Sequence, residues 1–390
     1  MKIALINNDD FSMYHFRRGL IKQLINRGIE ATIVVPPGRF VRCLEGLGSR
    51  CIPIPMNRFF SPIEDLRLIR SLYKLFKEEK FDIVHNMTIK PNIYGTLAAK
   101  MAGIKRRVGL VAGAGFIFLN GTGWMPEAFR LPAMLMYKVA MAMTDKVWFQ
   151  NRNDLETFVR RGLINREKTV LIRGSGVDLT EFSPSSIDTS RIEEVRRKMR
   201  LPRLSHCVLM VAARMVWSKG VKEFVEAAYS LNDSFKEWYF VMICPKDQGT
   251  PDSVPDAYLS SSKLDQLIIL DKFRYDIRDF MALADIIVLP SYYPEGVPRS
   301  LLEALAMGKP IVTTDHQGCR ETVEEGKNGF LIPIKDSASL IEKLSVLMED
   351  GNLRKRFGEY SRKKAELEFD EEMVAKRICR ELYGLSDRSA

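Results

Sequence analysis

ADIIVLPSYYPEGVPRSLLEA, residues 284–304, decides the fold. An apolar, β-branched run ends at Leu289, a Pro/Gly-rich loop follows, and an amphipathic helix opens near Pro298. Proline suits the first helical turn. A strand, tight loop and helix in that order is the unit of a parallel sheet, and the helix start offers backbone N–H groups and a positive dipole end to an anion. Glu295 stands at the loop mouth and Glu303 about two turns further on, so two carboxylates are available to grip hydroxyls.

The same alternation runs outward in both directions. Before this stretch, His206–Ala213, Trp238–Ile243 and Gln266–Leu270 read as strands, and after it Pro310–Thr313 and Gly329–Ile332. Lys219–Leu231, Ile277–Leu283, Pro298–Met307 and Ser337–Met348 read as helices, and Leu353–Leu385 as helical throughout. The N-terminal half repeats the pattern, with strands at Lys2–Ile6, Ala31–Val35, Arg50–Ile54, Phe81–His85, Arg107–Ala112, Lys146–Gln150 and Thr169–Ile172. Helical patterns at Tyr14–Arg27, Pro62–Glu79, Pro91–Ala102 and Asn151–Arg161 separate them. The expectation is an α/β chain of two doubly wound, Rossmann-like domains. Residues 1–175 form the first and 205–368 the second, with a linker carrying one solvated helix at 176–204 and a C-terminal helix at 369–390. Ligands of such sheets bind beyond the carboxyl ends of the strands.

Composition narrows the function. At 390 residues, 46% hydrophobic and 28% charged, the chain has the profile of a soluble globular protein of two domains. Residues 1–195 hold 29 Lys and Arg against 19 Asp and Glu, so the entire excess of +10 lies there and the remainder is neutral. A basic first half suggests an anionic neighbour: lipid, a diphosphate-bearing substrate or nucleic acid. A solvated basic surface is the plainer alternative. No basic stripe with interleaved aromatics and no nucleic-acid-binding module is present, which argues against nucleic acid. The six cysteines are scattered without metal spacing, so reduced, buried thiols are expected. No apolar run is long enough to span a bilayer. The Met-rich stretch from Trp124 to Lys138 is either a core helix or an interfacial one dipping into lipid.

A second chemical signal lies upstream. After the strand His206–Ala213 come Arg214 and Trp217-Ser-Lys219-Gly, opening a helix. Two cations and a helix start can stabilise a departing diphosphate without a metal. In isolation these are ordinary surface charges.

With Glu295 and Glu303 spaced by seven residues and Glu295 set in Pro290-Ser-Tyr-Tyr-Pro-Glu-Gly-Val-Pro298, the chain resembles the retaining glycosyltransferases of family 4, which have the GT-B fold. The resemblance is tight from 206 to 335 and looser before 170. It implies two Rossmann-like domains facing a cleft, with the C-terminal helix crossing back to the N-terminal domain. It implies a donor site of Arg214, Lys219, Phe273, Ile277, Glu295, Gly296, Val297, Pro298 and Glu303, with the sugar of a UDP-sugar oriented by Glu295. His85, Arg214, Lys219 and Glu295 are then the expected catalytic residues. His15, Arg17, Lys90, Gly113 and Gly115 are the expected acceptor-binding residues, because similar YHFR, HxxxxK and GxGx stretches occur in the subgroup that acts on polyprenyl-diphosphate-linked sugars. His15 and His85 have a plainer reading as core or capping residues, and Gly113 and Gly115 as a flexible turn. The first loop, Asn7–Ser12, lacks the Gly-Gly of other members. No cofactor or metal is expected. The expected partners are a nucleotide sugar, a lipid-linked saccharide acceptor and an anionic membrane surface, with the protein cytoplasmic and peripheral on the inner face of the membrane. The rivals are a UDP-sugar 2-epimerase or hydrolase of the same fold, a nucleic-acid-binding protein, and a catalytically silent sugar-nucleotide binder.

Overall fold

A computed structural model describes residues 1–57, 61–113, 127–247 and 249–386, and for 127–131 the backbone alone. The chain divides into two units, one of Met1–Gly176 with Glu371–Ala390, the other Val177–Asp370.

The first unit runs β1 (Lys2–Ile6), α1 (Asp10–Asn26), β2 (Glu30–Val35), α2 (Val41–Glu45), β3 (Arg50–Pro53), α3 (Pro62–Glu79), β4 (Ile83–Asn86), α4 (Thr96–Ala102), β5 (Arg106–Val111), α5 (Glu127–Met143), β6 (Lys146–Phe149), α6 (Arg152–Arg160) and β7 (Thr169–Leu171). The strands lie in the order β3-β2-β1-β4-β5-β6-β7, every pair parallel. Because side chains alternate across a strand, Ala4 and Ile6 enter one buried layer with Leu68, Leu72 and Ala98, while Ile3 and Leu5 enter the other with Leu20, Ile21 and Leu24. The short apolar strands need both layers, which is why they read as continuous hydrophobic runs.

The second unit runs α7 (Thr189–Lys198), β8 (His206–Val211), α8 (Val221–Leu231), β9 (Trp238–Ile243), α9 (Asp256–Ser261), β10 (Leu267–Leu270), α10 (Ile277–Leu283), β11 (Ile286–Leu289), α11 (Arg299–Ala306), β12 (Ile311–Thr314), β13 (Gly329–Ile332), α12 (Ser337–Glu349) and α13 (Gly351–Glu368). The strand order is β10-β9-β8-β11-β12-β13, again parallel. The order reverses between β8 and β11 here, and between β1 and β4 in the first unit. Those switch points open the crevices where such sheets take ligands.

Three expectations need correction. Residues 177–204 are not a free linker: Val177, Phe182, Val195 and Leu201 are buried in the second unit's core, and α7 packs on α10. The charged run hides this, since Val195 is the one buried residue within α7. The C-terminal stretch is not one helix either. It breaks at Phe369 and Asp370, where the backbone N–H of Val177 donates to the carbonyl of Phe369 at 2.7 Å. The last piece, α14 (Glu371–Tyr383), then joins the first unit by packing on α1 through Val374, Ala375, Ile378 and Leu382. Finally, Pro91–Gly95 is a π-helical turn rather than the start of an α-helix. Its Asn92 is fully buried, donating to the Leu110 carbonyl at 2.7 Å and to the Tyr137 hydroxyl at 3.1 Å.

In α5, Tyr137, Ala140 and Met141 are buried while Leu135, Met136 and Val139 are exposed, so one face of this helix is core and another is open. Residues 124–126 of the Met-rich stretch lie outside the described residues. Among the described residues, no helix is long and apolar enough to cross a membrane.

Candidate functional site

The loops that leave β8 and β11 interlock at the second unit's switch point. After β8 the backbone bends through a 3₁₀ turn at Trp217–Lys219 into Gly220, whose φ of 82° lies in the left-handed region. A Cβ there would stand 2.4 Å from the Pro290 carbonyl oxygen, so the two loops approach at a distance only glycine permits. The Ser218 carbonyl accepts from the N–H groups of Tyr292 and Tyr293 at 2.8 and 3.0 Å, and from the Ser291 hydroxyl at 3.2 Å.

That weave fixes the charged groups. Lys219 Nζ lies 2.7 Å from Glu295 Oε2, with the two side chains 8% and 14% exposed. Ser291 Oγ donates to the other oxygen of Glu295, also at 2.7 Å. Arg214 Cζ and Lys219 Nζ each sit 5.3 Å from the centre of the Tyr293 ring. Gly318, with φ at 80°, brings a third loop in: a Cβ there would fall 1.8 Å from the Gly296 carbonyl oxygen. On that loop His316 is half-buried, and burial, with Arg320 beside it, lowers its pKa against the opposing pull of Glu295. The structure thus gathers Arg214, Lys219, Glu295 and Gly296 into one place.

The remaining donor candidates stand differently. Val297 is buried. Pro298 is the cap residue rather than the first helical one, and proline has no N–H, so anion-binding donors must come from its neighbours. Glu303 is buried and paired with Arg299 at 3.0 Å. Burial raises its pKa, opposed by that arginine. Phe273 is 46% exposed after β10, its ring 4.9 Å from that of the exposed Tyr275, and half-buried Ile277 opens α10 nearby. Exposed aromatics beyond a strand end offer a stacking surface to a planar base.

Of the expected acceptor residues, His15 and Arg17 lie on α1, which follows β1, and Lys90 follows β4, but burial changes their meaning. Asp9 caps α1 by accepting from the Ser12 N–H at 2.9 Å, and Asp10 accepts from the Phe40 N–H at 2.8 Å. His15 belongs to an aromatic group with Phe11, Tyr14 and Phe40, at ring distances of 4.4, 5.0 and 5.0 Å. Arg17 is buried, its guanidinium 4.9 Å from the Trp148 ring and donating to the Phe16 carbonyl at 3.0 Å. His85, expected among the catalytic residues, is wholly buried, with Nδ1 2.6 Å from the hydroxyl of Tyr383 on α14. Desolvation, with Arg17 adding to it, drives its pKa down to about 3. His85 is therefore a neutral core residue at working pH and not an open base. Lys90 is likewise not an open phosphate ligand: its Nζ lies 2.5 Å from Asp65, both side chains nearly buried, and Tyr94 donates to the same carboxylate at 2.9 Å. Gly113 takes a φ of 114°, and Gly115 lies outside the described residues.

Some partners have no local sequence signal. Asp65 holds Lys90 from 25 positions away, and Asp247 holds Arg214 from 33. Among the described residues no group of three or more His, Cys, Asp or Glu side chains is placed to hold a metal ion.

Two parallel sheets with a cation pair facing a glutamate at a switch point are the architecture of a nucleotide-sugar transferase, and comparison with known proteins gives the same class. The family described as glycosyl transferases group 1 matches residues 192–364, and that described as glycosyl transferase 4-like matches residues 2–151. Among curated relatives, the N,N'-diacetylbacillosaminyl-diphospho-undecaprenol alpha-1,3-N-acetylgalactosaminyltransferase of Campylobacter jejuni is 31% identical over 97% of this chain and 98% of its own. The UDP-Gal:alpha-D-GlcNAc-diphosphoundecaprenol alpha-1,3-galactosyltransferase of Escherichia coli is 30% identical over 75% and 73%. The chain belongs to this family of group 1, family-4-like glycosyltransferases, and is an enzyme of that kind. Solved structures share the fold: a glycosyltransferase from Rickettsia africae superposes with a TM-score of 0.79 at 22% identity over 99% of both chains. HepE of Anabaena, in complex with UDP and glucose, gives 0.79 at 20% identity over 99% of this chain and 100% of its own.

Proposed function

We propose that this glycosyltransferase moves an N-acetylhexosamine or hexose, with retention and without a metal, from a UDP-sugar to a polyprenyl-diphosphate-linked saccharide in bacterial glycan synthesis. The observation that carries the reading is the Lys219–Glu295 pair at the switch point with Arg214 over the same tyrosine ring. The donor diphosphate rests on Arg214 and Lys219, and Glu295, held by Lys219 and Ser291, orients the sugar. As the glycosidic bond breaks, negative charge grows on the diphosphate, and fixed cations in a partly buried site stabilise it without reorganising. The acceptor hydroxyl attacks from the face that the diphosphate leaves. The departing phosphate takes the hydroxyl's proton, so the configuration at the sugar is kept. The lipid-linked acceptor is supported by the two relatives, both named for diphospho-undecaprenol acceptors.

An anionic membrane surface as partner draws support from the first unit. Ile63 and Leu66 on α3, Met101 on α4 and Leu135 and Val139 on α5 are exposed among Arg67, Arg70, Lys74, Lys100 and Lys138. α3 packs on α4 and α4 on α5, so these residues belong to one flank. Each basic residue near anionic lipid adds about 1 kcal/mol.

The test is UDP release from a panel of UDP- and GDP-sugars in EDTA, with and without short polyprenyl-diphosphate sugars, with Glu295→Ala as control. Release that requires the lipid and vanishes in the variant supports the proposal. Release without acceptor points to an epimerase or hydrolase, and loss of activity in EDTA overturns metal independence. Co-sedimentation with vesicles checks the membrane: anionic lipid should capture the wild type and lose Leu135→Glu/Val139→Glu.

A further inference from the structure

Residues 244–247 and 249–254, which follow β9, form a strap along the donor loop. The Met215 N–H donates to the Pro245 carbonyl at 2.7 Å, the Trp217 N–H to the Asp252 carbonyl at 2.8 Å, and the Val254 N–H to the Met215 carbonyl at 3.2 Å. Two carboxylates project from the strap onto the loop. Asp252 accepts from the Ser218 N–H at 3.3 Å and from its hydroxyl. Asp247 accepts from Arg214 Nη1 at 3.0 Å, with its side chain 10% exposed and that of Arg214 23%. Among the described residues Arg214 is the side-chain partner of Asp247.

Each candidate donor-site cation is paired with a carboxylate, Lys219 with Glu295 and Arg214 with Asp247. A partly buried acid beside an anion-binding arginine has two opposing effects. It weakens the field that attracts a diphosphate. It also restrains a long side chain whose ordering otherwise falls on the binding step. Geometry favours restraint. Two cations stand at 5.3 Å from one tyrosine ring and repel each other, and Asp247 holds one of them in place. A guanidinium carries five N–H donors in a rigid fork, so engaging Nη1 still leaves donors for phosphate oxygens.

We propose that Asp247 is a positioning residue for the donor: it fixes the guanidinium of Arg214 in the orientation that receives a nucleoside diphosphate. This rests on the donor reading of Arg214, and the experiment separates the two. UDP binding by calorimetry, with a melting temperature for each protein, is measured on full-length wild type, Asp247→Asn, Arg214→Ala and the double variant. Asp247→Asn weakens UDP about tenfold, the size expected when one long side chain must be ordered by its ligand. The double variant binds no more weakly than Arg214→Ala, because Asp247 acts only through that arginine. Asp247→Glu, which keeps the charge, recovers part of the loss. Asp247→Ser replaces the Asn variant if the latter does not fold, with the same outcomes read from it. Binding as tight as wild type in Asp247→Asn, or a loss of equal size when Arg214 is absent, overturns the proposal. If Arg214→Ala itself binds UDP like wild type, the donor reading falls and this inference with it.

Discussion

Replacing Lys219 with methionine separates what its charge does for folding from what it does for transfer. The pair it makes with Glu295 is short, 2.7 Å, with the two side chains only 8% and 14% exposed. Removing one partner of such a pair strands the other, at a cost of about 3–5 kcal/mol. Glu295 keeps its bond from Ser291, so the lower end, about 3 kcal/mol, is expected. Removing both charges, as Lys219→Met/Glu295→Gln, leaves nothing stranded and returns stability to within about 1 kcal/mol of wild type. Activity behaves otherwise. A fixed group that stabilises transition-state charge is worth roughly 10²–10³ in rate, so both variants lose about that factor. Urea unfolding gives the stabilities, and UDP release with a lipid-linked acceptor gives the rates. A single variant as stable as wild type, or a double variant that regains transfer, would refute the reasoning.

Other outcomes follow from the same geometry. Burial holds the pKa of His85 at about 3, below its ordinary 6.5, so the unfolded chain binds its proton first as pH falls. The stability this group contributes is complete above pH 6.5 and is lost on acidification towards about 3, at roughly 1.4 kcal/mol per pH unit. His85→Phe should flatten that part of a stability-versus-pH curve, and an unchanged slope would count against the assignment. Gly318→Ala forces a side chain into a left-handed backbone at about 1–2 kcal/mol and drives its Cβ against the Gly296 carbonyl, so donor affinity and melting temperature should both fall. Lys90→Met should destabilise the first unit by about 3 kcal/mol by stranding Asp65, with Asp65→Asn/Lys90→Met recovering much of it. Equal losses in the single and double variants would contradict the buried pair.

The strands and most long helices are legible in the sequence because parallel strands covered on both faces must be short apolar runs. Ile286–Leu289 and Ile311–Thr314 are buried throughout. Lys219 and Glu295 are legible because each follows such a run at a helix start. Exposure is not legible. His85 lies near the carboxyl end of β4 and Lys90 just beyond it, like ligand-binding residues, but Tyr383 and Asp65, which bury them, come from 298 and 25 positions away. Asp247 escapes for the same reason, since Arg214 lies 33 positions away from it. α7 shows the converse error: a helix whose charges conceal the one side chain that docks it.

The first unit is assembled from both ends of the chain, whereas the second is continuous from Val177 to Asp370. On a ribosome the second unit therefore has all its residues before the first does. Until α14 emerges, Leu20, Ile21 and Leu24 of α1 lack part of the layer that buries them. The nascent N-terminal half keeps apolar surface open until the end of synthesis, and exposed apolar surface at that stage is what aggregates. A released chain truncated after Asp370 should hold a protease-resistant C-terminal unit and a protease-sensitive N-terminal one.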